Sequence, residues 1–262
     1  MPTKNLISIL GYDVFAGHKK YFADRVTGVI STLNPHSYVM ARKDDQFRDA
    51  LQAADWLLPD GVGIKYAAYL LYGTKIEKIA GADLHEMVLV SLSERGGSCF
   101  YLGSSKETLG KIKERMAQEY PSVKVGVFSP SYREAFTEEE NSEMINAVNS
   151  FSPDVLFVGM TAPKQEKWVH ENRSKLNVPL ICSIGAAFDF YAGAIKRSGK
   201  FWIKLGLEWL PRFLREPGRL WKRNLISAPL FLWHVGIEKV DKLVKPKYHS
   251  FVRPTHRHGD QD

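Results

Sequence analysis

The chain has 262 residues, 44% of them apolar and 25% charged, with a formal net charge of +7. That length can bury a full core, and this balance is that of a globular protein, not of a disordered or fibrous one. No apolar stretch reaches the roughly 18–20 residues that a membrane-spanning helix needs. The closest is Leu225–Ile237, interrupted by Pro229 and His234, which reads as a segment that lies on a membrane without crossing it.

The charge is unevenly placed. Residues 196–262 hold 15 Lys and Arg against 6 Asp and Glu, whereas residues 1–195 hold 21 against 23. A near-neutral body with a basic tail points to recruitment by an anionic surface or ligand. Cys99 and Cys182 sit in short apolar runs, and no signal-peptide pattern opens the chain. Both are expected to be reduced core residues of a cytosolic protein.

From Gly28 to Gly193, short apolar runs alternate with longer amphipathic ones. Strands are predicted at 29–33, 56–58, 98–102, 123–128, 154–158 and 180–184, and helices at 46–54, 62–71, 84–95, 106–120, 138–150 and 165–176. This alternation predicts an α/β fold: a Rossmann-like, mostly parallel sheet with helices on both faces. Residues 1–195 are read as the α/β catalytic domain, 196–246 as a basic, aromatic helical appendage that associates with membranes, and 247–262 as a disordered tail. Removing everything from Lys196 onward is expected to leave a folded but inactive core.

Several strand ends carry candidate chemistry. Thr32-Leu33-Asn34-Pro35 offers a hydroxyl and a carboxamide to a sugar or phosphate, although Asn-Pro is also an ordinary turn opener. In Pro59-Asp60-Gly61, the Asp60 carboxylate is placed either to take a proton from an attacking hydroxyl or to cap the following helix. Phe100-Tyr101-Leu102-Gly103, Leu156-Phe157-Val158-Gly159 and Cys182-Ser183-Ile184-Gly185 are buried runs ending in glycine, as a crevice at the carboxyl edge of a sheet requires. Gly159 to Glu166 opens a helix through Pro163. Its free amides, with Lys164 and Gln165 beside them, suit an oxyanion or a sugar oxygen.

In the tail, Ile203, Leu207, Leu210 and Leu214 keep helical spacing, and Pro211 and Pro217 divide the stretch into short helices. Arg219, Lys222 and Arg223 fall on one face at helical spacing. Arginine forks match diphosphate oxygens, and Trp202, Trp209, Trp221 and Trp233 suit a lipid headgroup zone. A basic aromatic stretch also suits nucleic acid. No His, Cys or Asp cluster has metal-ligand spacing, and no Gly-x-Gly-x-x-Gly follows the first strand.

Together these segments resemble the WecG/TagA/CpsF glycosyltransferases, from about Gly11 to Arg223. The resemblance rests on Thr32-Leu33-Asn34, Pro59-Asp60-Gly61, Gly81-Ala82-Asp83-Leu84, Leu102-Gly103, Pro163-Lys164-Gln165-Glu166, Phe188-Asp189 with Gly193, and Glu208-Trp209-Leu210 followed by Arg212, Glu216-Pro217 and Arg219. It implies an inverting, metal-independent transferase without a cofactor. The donor would be a UDP-sugar such as UDP-N-acetylmannosamine, and the acceptor a saccharide on undecaprenyl diphosphate, at the inner face of the cell membrane.

By the same resemblance Asp60 is the base, and Thr32, Asn34 and Gln165 line the pocket. Lys78, Gly103, Lys164 and Asp189 belong to the matched substrate-binding segments. Arg212, Arg219 and Arg223 close over the diphosphate. The family is also described with oligomers that hide the appendage and an active monomer on the membrane; no nucleic-acid partner is implied. Lys78 stands where an arginine is usual, Arg197-Ser198-Gly199 replaces Arg-Ala-Pro, and Pro211 replaces an aromatic. These departures leave the donor sugar open, and relatives use hexoses such as glucose.

Overall fold

The computed structural model describes residues 5–23, 26–133, 135–194, 199, 202, 209–215 and 217–244. Its strands are β1 (Leu6–Ile9), β2 (Tyr12–Phe15), β3 (Gly28–Leu33), β4 (Trp56–Pro59), β5 (Ser98–Gly103), β6 (Lys124–Phe128), β7 (Val155–Gly159) and β8 (Leu180–Ser183). They form one sheet in the order β1-β2-β4-β3-β8-β7-β5-β6. β1 and β2 pair antiparallel, and the other neighbours pair in parallel. The chain leaves β3 outward to β4, then crosses to β5 on the other side, and β7 and β8 fill the gap. Such a reversal of direction leaves a crevice at the carboxyl edge.

The helices are α1 (Pro35–Ala41), α2 (Asp45–Gln52), α3 (Val62–Tyr72), α4 (Gly81–Arg95), α5 (Lys106–Glu119), α6 (Glu138–Phe151), α7 (Lys164–Asn172) and α8 (Ala187–Tyr191). Nearer the C-terminus come α9 (Trp209–Arg215), α10 (Pro217–Trp221), a π-helical turn (Lys222–Ser227) and α11 (Ala228–Val244). Asp44, Ser105 and Thr137 start α2, α5 and α6 by accepting from the backbone N–H three residues on.

Period-two alternation fills both faces of the sheet. Cys99 and Tyr101 of β5, Val155 and Phe157 of β7, and Leu180 and Cys182 of β8 pack with α4, α5 and α8. Phe100, Leu102, Leu156, Val158 and Ile181 pack on the opposite face with α6 and α7. Both cysteines are free and buried, and burial pushes the Cys99 thiol up to about 12. All six predicted strands are present. The β1–β2 hairpin, α1 and α8 are additions to the sequence reading.

The C-terminal quarter differs more. Phe231 and Val235, one turn apart on α11, have no exposed surface and complete a cluster with Ile64, Ala67, Ala68 and Leu71 of α3 and Tyr38 of α1. A cut at residue 196 therefore opens this cluster instead of leaving an intact core. The other end of α11 is tied by Lys242, whose Nζ lies 2.6 Å from the Tyr72 hydroxyl and 3.9 Å from the Tyr72 ring centroid. Residues 203–208 and the expected disordered stretch 247–262 lie outside the described residues.

Truncating a fully buried phenylalanine typically costs about 3–5 kcal/mol. Phe231→Ala is predicted to lose stability of that order in urea unfolding. A loss below about 1 kcal/mol would mean that α11 is not seated as described.

Candidate active site

The carboxyl ends of β3 and β4 are locked together. The Asp60 N–H donates to the Leu33 carbonyl at 2.8 Å, and the Ile79 N–H donates to the Pro59 carbonyl at 2.9 Å. Thr32 pairs across from Leu58, and Leu33 from Pro59. Thr32, Asn34, Asp60 and Lys78 thus share one corner of the sheet edge, each half-buried.

Asn34 caps α1: its Oδ1 accepts from the N–H groups of His36 and Ser37, both at 3.0 Å. Its carboxamide oxygen is therefore committed to the helix, which leaves the NH2 as the group suited to a ligand. The capping position of α3 falls to Gly61, not to Asp60. Gly63 lets α1 and α3 converge here, because a methyl group in its place would meet Pro35 Cγ at 2.5 Å.

The basic tail reaches the same corner. Ser227 Oγ, in a residue only 4% exposed, lies 2.9 Å from His36 Nδ1. Burial, and then the Arg223 charge, hold the His36 imidazole below the usual histidine range. The turn that carries Arg223 is thus held at α1 by the Ser227–His36 contact. Lys222 and Arg223 open a π-helical turn, so the stretch expected as one helical face passes through a change of helix type. Arg212 falls in α9 and Arg219 in α10, and their side chains lie outside what is described.

The remaining candidates lie farther along the edge. Three strand spacings separate β4 from β7, about 14 Å at the usual inter-strand distance. Gly103 ends β5 with φ 118°, and a Cβ there would strike the Gly159 carbonyl oxygen at 2.5 Å, so close strand packing alone demands glycine. Lys164 opens α7, but its ammonium donates to the Arg133 carbonyl and lies 3.4 Å from the Phe136 ring centroid. It serves the loop before α6 instead of standing beside the α7 amides. Pro163 precedes the first residue of α7 instead of lying in its first turn.

Gln165 is 4% exposed, with Oε1 accepting from the Met160 N–H at 3.2 Å and Nε2 donating to Glu166 Oε1 at 2.8 Å. It is a strut beneath the crevice. Asp189 lies half-buried in the first turn of α8, just beyond β8. Among the described residues no group of three or more His, Cys, Asp or Glu side chains converges as a metal site.

Sequence reasoning did not single out His36 or Ser227, and it quoted Glu166 only as the end of the Pro163-Lys164-Gln165-Glu166 motif. Glu166 is fully buried, its Oε2 has no partner, and burial raises its carboxyl from the ordinary 4.5 to about 7. Between those values the folded chain keeps a proton that the unfolded chain has released. Unfolding free energy therefore falls as pH rises through this window, by up to about 1.4 kcal/mol per unit. The stabilisation is complete below 4.5 and gone above 7. Glu166→Gln is predicted to flatten this part of the profile in urea melts at stepped pH. Identical slopes in the two proteins would exclude the shift.

With this geometry established, similarity to known proteins becomes informative. The N-acetylglucosaminyldiphosphoundecaprenol N-acetyl-beta-D-mannosaminyltransferase of Bacillus subtilis (strain 168) is 29% identical over 243 residues, covering 93% of this chain and 91% of that protein. The protein of the same name from Bacillus spizizenii (strain ATCC 23059 / NRRL B-14472 / W23) is 28% identical, covering 87% of this chain and 86% of the relative. That of Staphylococcus aureus (strain MW2) is 27% identical, with 84% and 85% covered. Residues 7–245 match the Glycosyl transferase WecG/TagA/CpsF family, and the chain belongs to that family.

Proposed function

We propose that this chain transfers a sugar from a UDP donor to a saccharide carried on undecaprenyl diphosphate, with inversion and without a metal ion. The donor assigned is UDP-N-acetylmannosamine, after the names of the relatives in the two Bacillus species and Staphylococcus aureus. The observation that carries the reading is the shared corner: Thr32, Asn34 and Asp60 at adjacent strand ends, with the Arg223 segment held against α1.

In the proposed step, the acceptor hydroxyl attacks the anomeric carbon on the side opposite UDP. Asp60 takes the hydroxyl proton as the new carbon–oxygen bond forms. The bond from that carbon to the UDP oxygen breaks, and UDP leaves with the electron pair. Arg223, with Arg212 and Arg219, neutralises the charge that develops on the diphosphate. Thr32 and the Asn34 NH2 orient the sugar.

The acceptor's lipid requires a membrane surface, and the outer faces of α3 and α11 suit one. Tyr66 is 60% exposed and Trp233 66%, and Tyr69, Leu70, Leu232, Ile237 and Val240 are also exposed on these two packed helices. Exposed apolar side chains with tryptophan and tyrosine among them favour the headgroup zone, and flanking lysines favour anionic lipid. No helix among the described residues is long and apolar enough to cross a membrane. The place proposed, after the lipid-linked acceptor in the relatives' names, is the inner membrane surface.

Three experiments test this reading. Asp60→Asn should abolish transfer while leaving UDP affinity within a few fold. If more than about a tenth of the rate survives, roughly 1.4 kcal/mol in barrier, Asp60 is not the base. Loss of the wild-type rate on adding EDTA would overturn the metal-free step. Separately, Trp233→Asp combined with Tyr66→Asp should weaken sedimentation with phosphatidylglycerol vesicles about tenfold; undiminished binding would place the membrane contact elsewhere.

A further inference from the structure

We propose that His36 is a positioning residue for the transfer reaction: through Ser227 it fixes the π-helical turn that carries Arg223 against the start of α1. The proposal rests on the reading of Arg223 as a diphosphate contact. His36 is the second residue of α1, two positions after the cap Asn34 and one after Pro35, which touches the start of α3 beside Asp60. Ser227 is the last residue of the π-helical turn. One hydrogen bond of 2.9 Å therefore joins the crevice to the tail across 191 positions of sequence.

The surroundings make that bond a fixed one. Ser227 is buried, and four residues on, the Phe231 ring packs edge-on against Tyr38 with centroids 5.3 Å apart. The His234 ring lies 5.7 Å from the same tyrosine. α11 is thus already seated on α1 by apolar contact, and the histidine–serine bond is not needed to dock it. What the bond adds is orientation of the turn that precedes α11.

That turn is irregular in a way that packing does not require. π-helical turns are rare and occur frequently at functional sites. Asn224, next to Arg223, has a buried side-chain nitrogen with no acceptor, a cost ordinarily avoided unless a ligand completes the site. A chain that only needed to pack α11 has no use for a hydrogen-bonding side chain at this junction.

The test is a double-mutant cycle on the full chain, with UDP-N-acetylmannosamine and a short-chain N-acetylglucosaminyl diphospholipid. His36→Ala and Ser227→Ala are each expected to lower kcat/KM about tenfold in the unaltered background. In an Arg223→Ala background, which is itself impaired, the same changes should cost less than about twofold. His36→Gln, which keeps a hydrogen-bonding group toward Ser227, should recover activity to within about threefold of the unaltered chain. A tenfold loss in both backgrounds would mean that His36 acts independently of Arg223, and no loss in either would also overturn the proposal.

Trypsin supplies a readout that does not depend on transfer. If His36 holds the turn, cleavage after Lys222 and Arg223 should accelerate about fivefold in both single variants, provided that cleavage reports the open population. Equal rates would refute the tether even if the unaltered chain transferred no sugar. An inactive unaltered chain with accelerated cleavage in the variants would instead refute the proposed function and leave the tether standing.

Discussion

The burial of Phe231 and Val235 is the constraint on which the arrangement of this protein depends. These two side chains, four residues apart and wholly shielded, fix α11 across α1 and α3. The exposed contacts along the same helix are weaker. The Lys242–Glu238 pair at 2.8 Å is partly open to solvent, and such pairs contribute about 0–1 kcal/mol. A buried phenylalanine contributes about 2–3 kcal/mol, so apolar packing decides where the helix lies. Once it is seated there, the residues immediately before it must emerge beside the start of α1. Parallel pairing of β3 with β4 has already brought the Thr32, Asn34 and Asp60 backbones to that end of the sheet. The turn that carries Arg223 and the strand end that carries Asp60 are thus each brought to this end of the sheet by packing of their own.

The same helix explains how a tail can belong to the core and still face a membrane. Its buried stripe is narrow, since Phe231 and Val235 occupy one line along the cylinder. Leu232, Trp233, Ile237, Val240 and Leu243 remain exposed on its other faces. A helix apolar nearly all round ordinarily belongs in a protein interior. Here one side meets the protein, and the proposed role gives the other side to lipid. Membrane contact in that role does not require α11 to leave its seat, so docking to a bilayer and completion of the crevice are compatible in one conformation.

Much of this was legible in the sequence because the sheet is buried on both faces. Runs such as Cys99–Leu102 and Val155–Val158 contain hardly any polar residues, and glycine marks their ends. The β1–β2 hairpin escaped because Ser8 and Asp13 interrupt two four-residue strands. α1 escaped because Asn34-Pro35 reads equally as a turn; the structure uses the asparagine as a cap and the proline as the first helical residue. The tail misled for a related reason. Its lysines and tryptophans dominate the composition, and they conceal that two apolar residues one turn apart are enough to hold the helix in the core. His36 and Ser227 carry no sequence signature, since a contact across 191 positions exists only after folding.

Asp60 and Glu166 both follow strands at the carboxyl edge of the sheet, and their surroundings suit them to different work. Glu166 is sealed from solvent, bonded to Gln165 through one oxygen, and raised to about 7 by burial, so near neutral pH a large share of it keeps its proton. A base must come within hydrogen-bond reach of the acceptor hydroxyl, and a carboxyl group buried beneath α7 does not. Its bond to Gln165, which in turn holds the Met160 N–H, makes it a support for the floor of the crevice. Asp60 is only half-buried, at the mouth, on the same corner as the Arg223 segment. In the proposed step a group there receives the proton while the arginines serve the departing diphosphate. If Glu166 were instead the base, the chemistry would sit at the end of β7, whereas the arginine-bearing turn is tied to α1 at the end of β3, two strand spacings or about 10 Å along the edge. The placement of charge therefore favours Asp60, and it does so without appeal to the identity of the sugar.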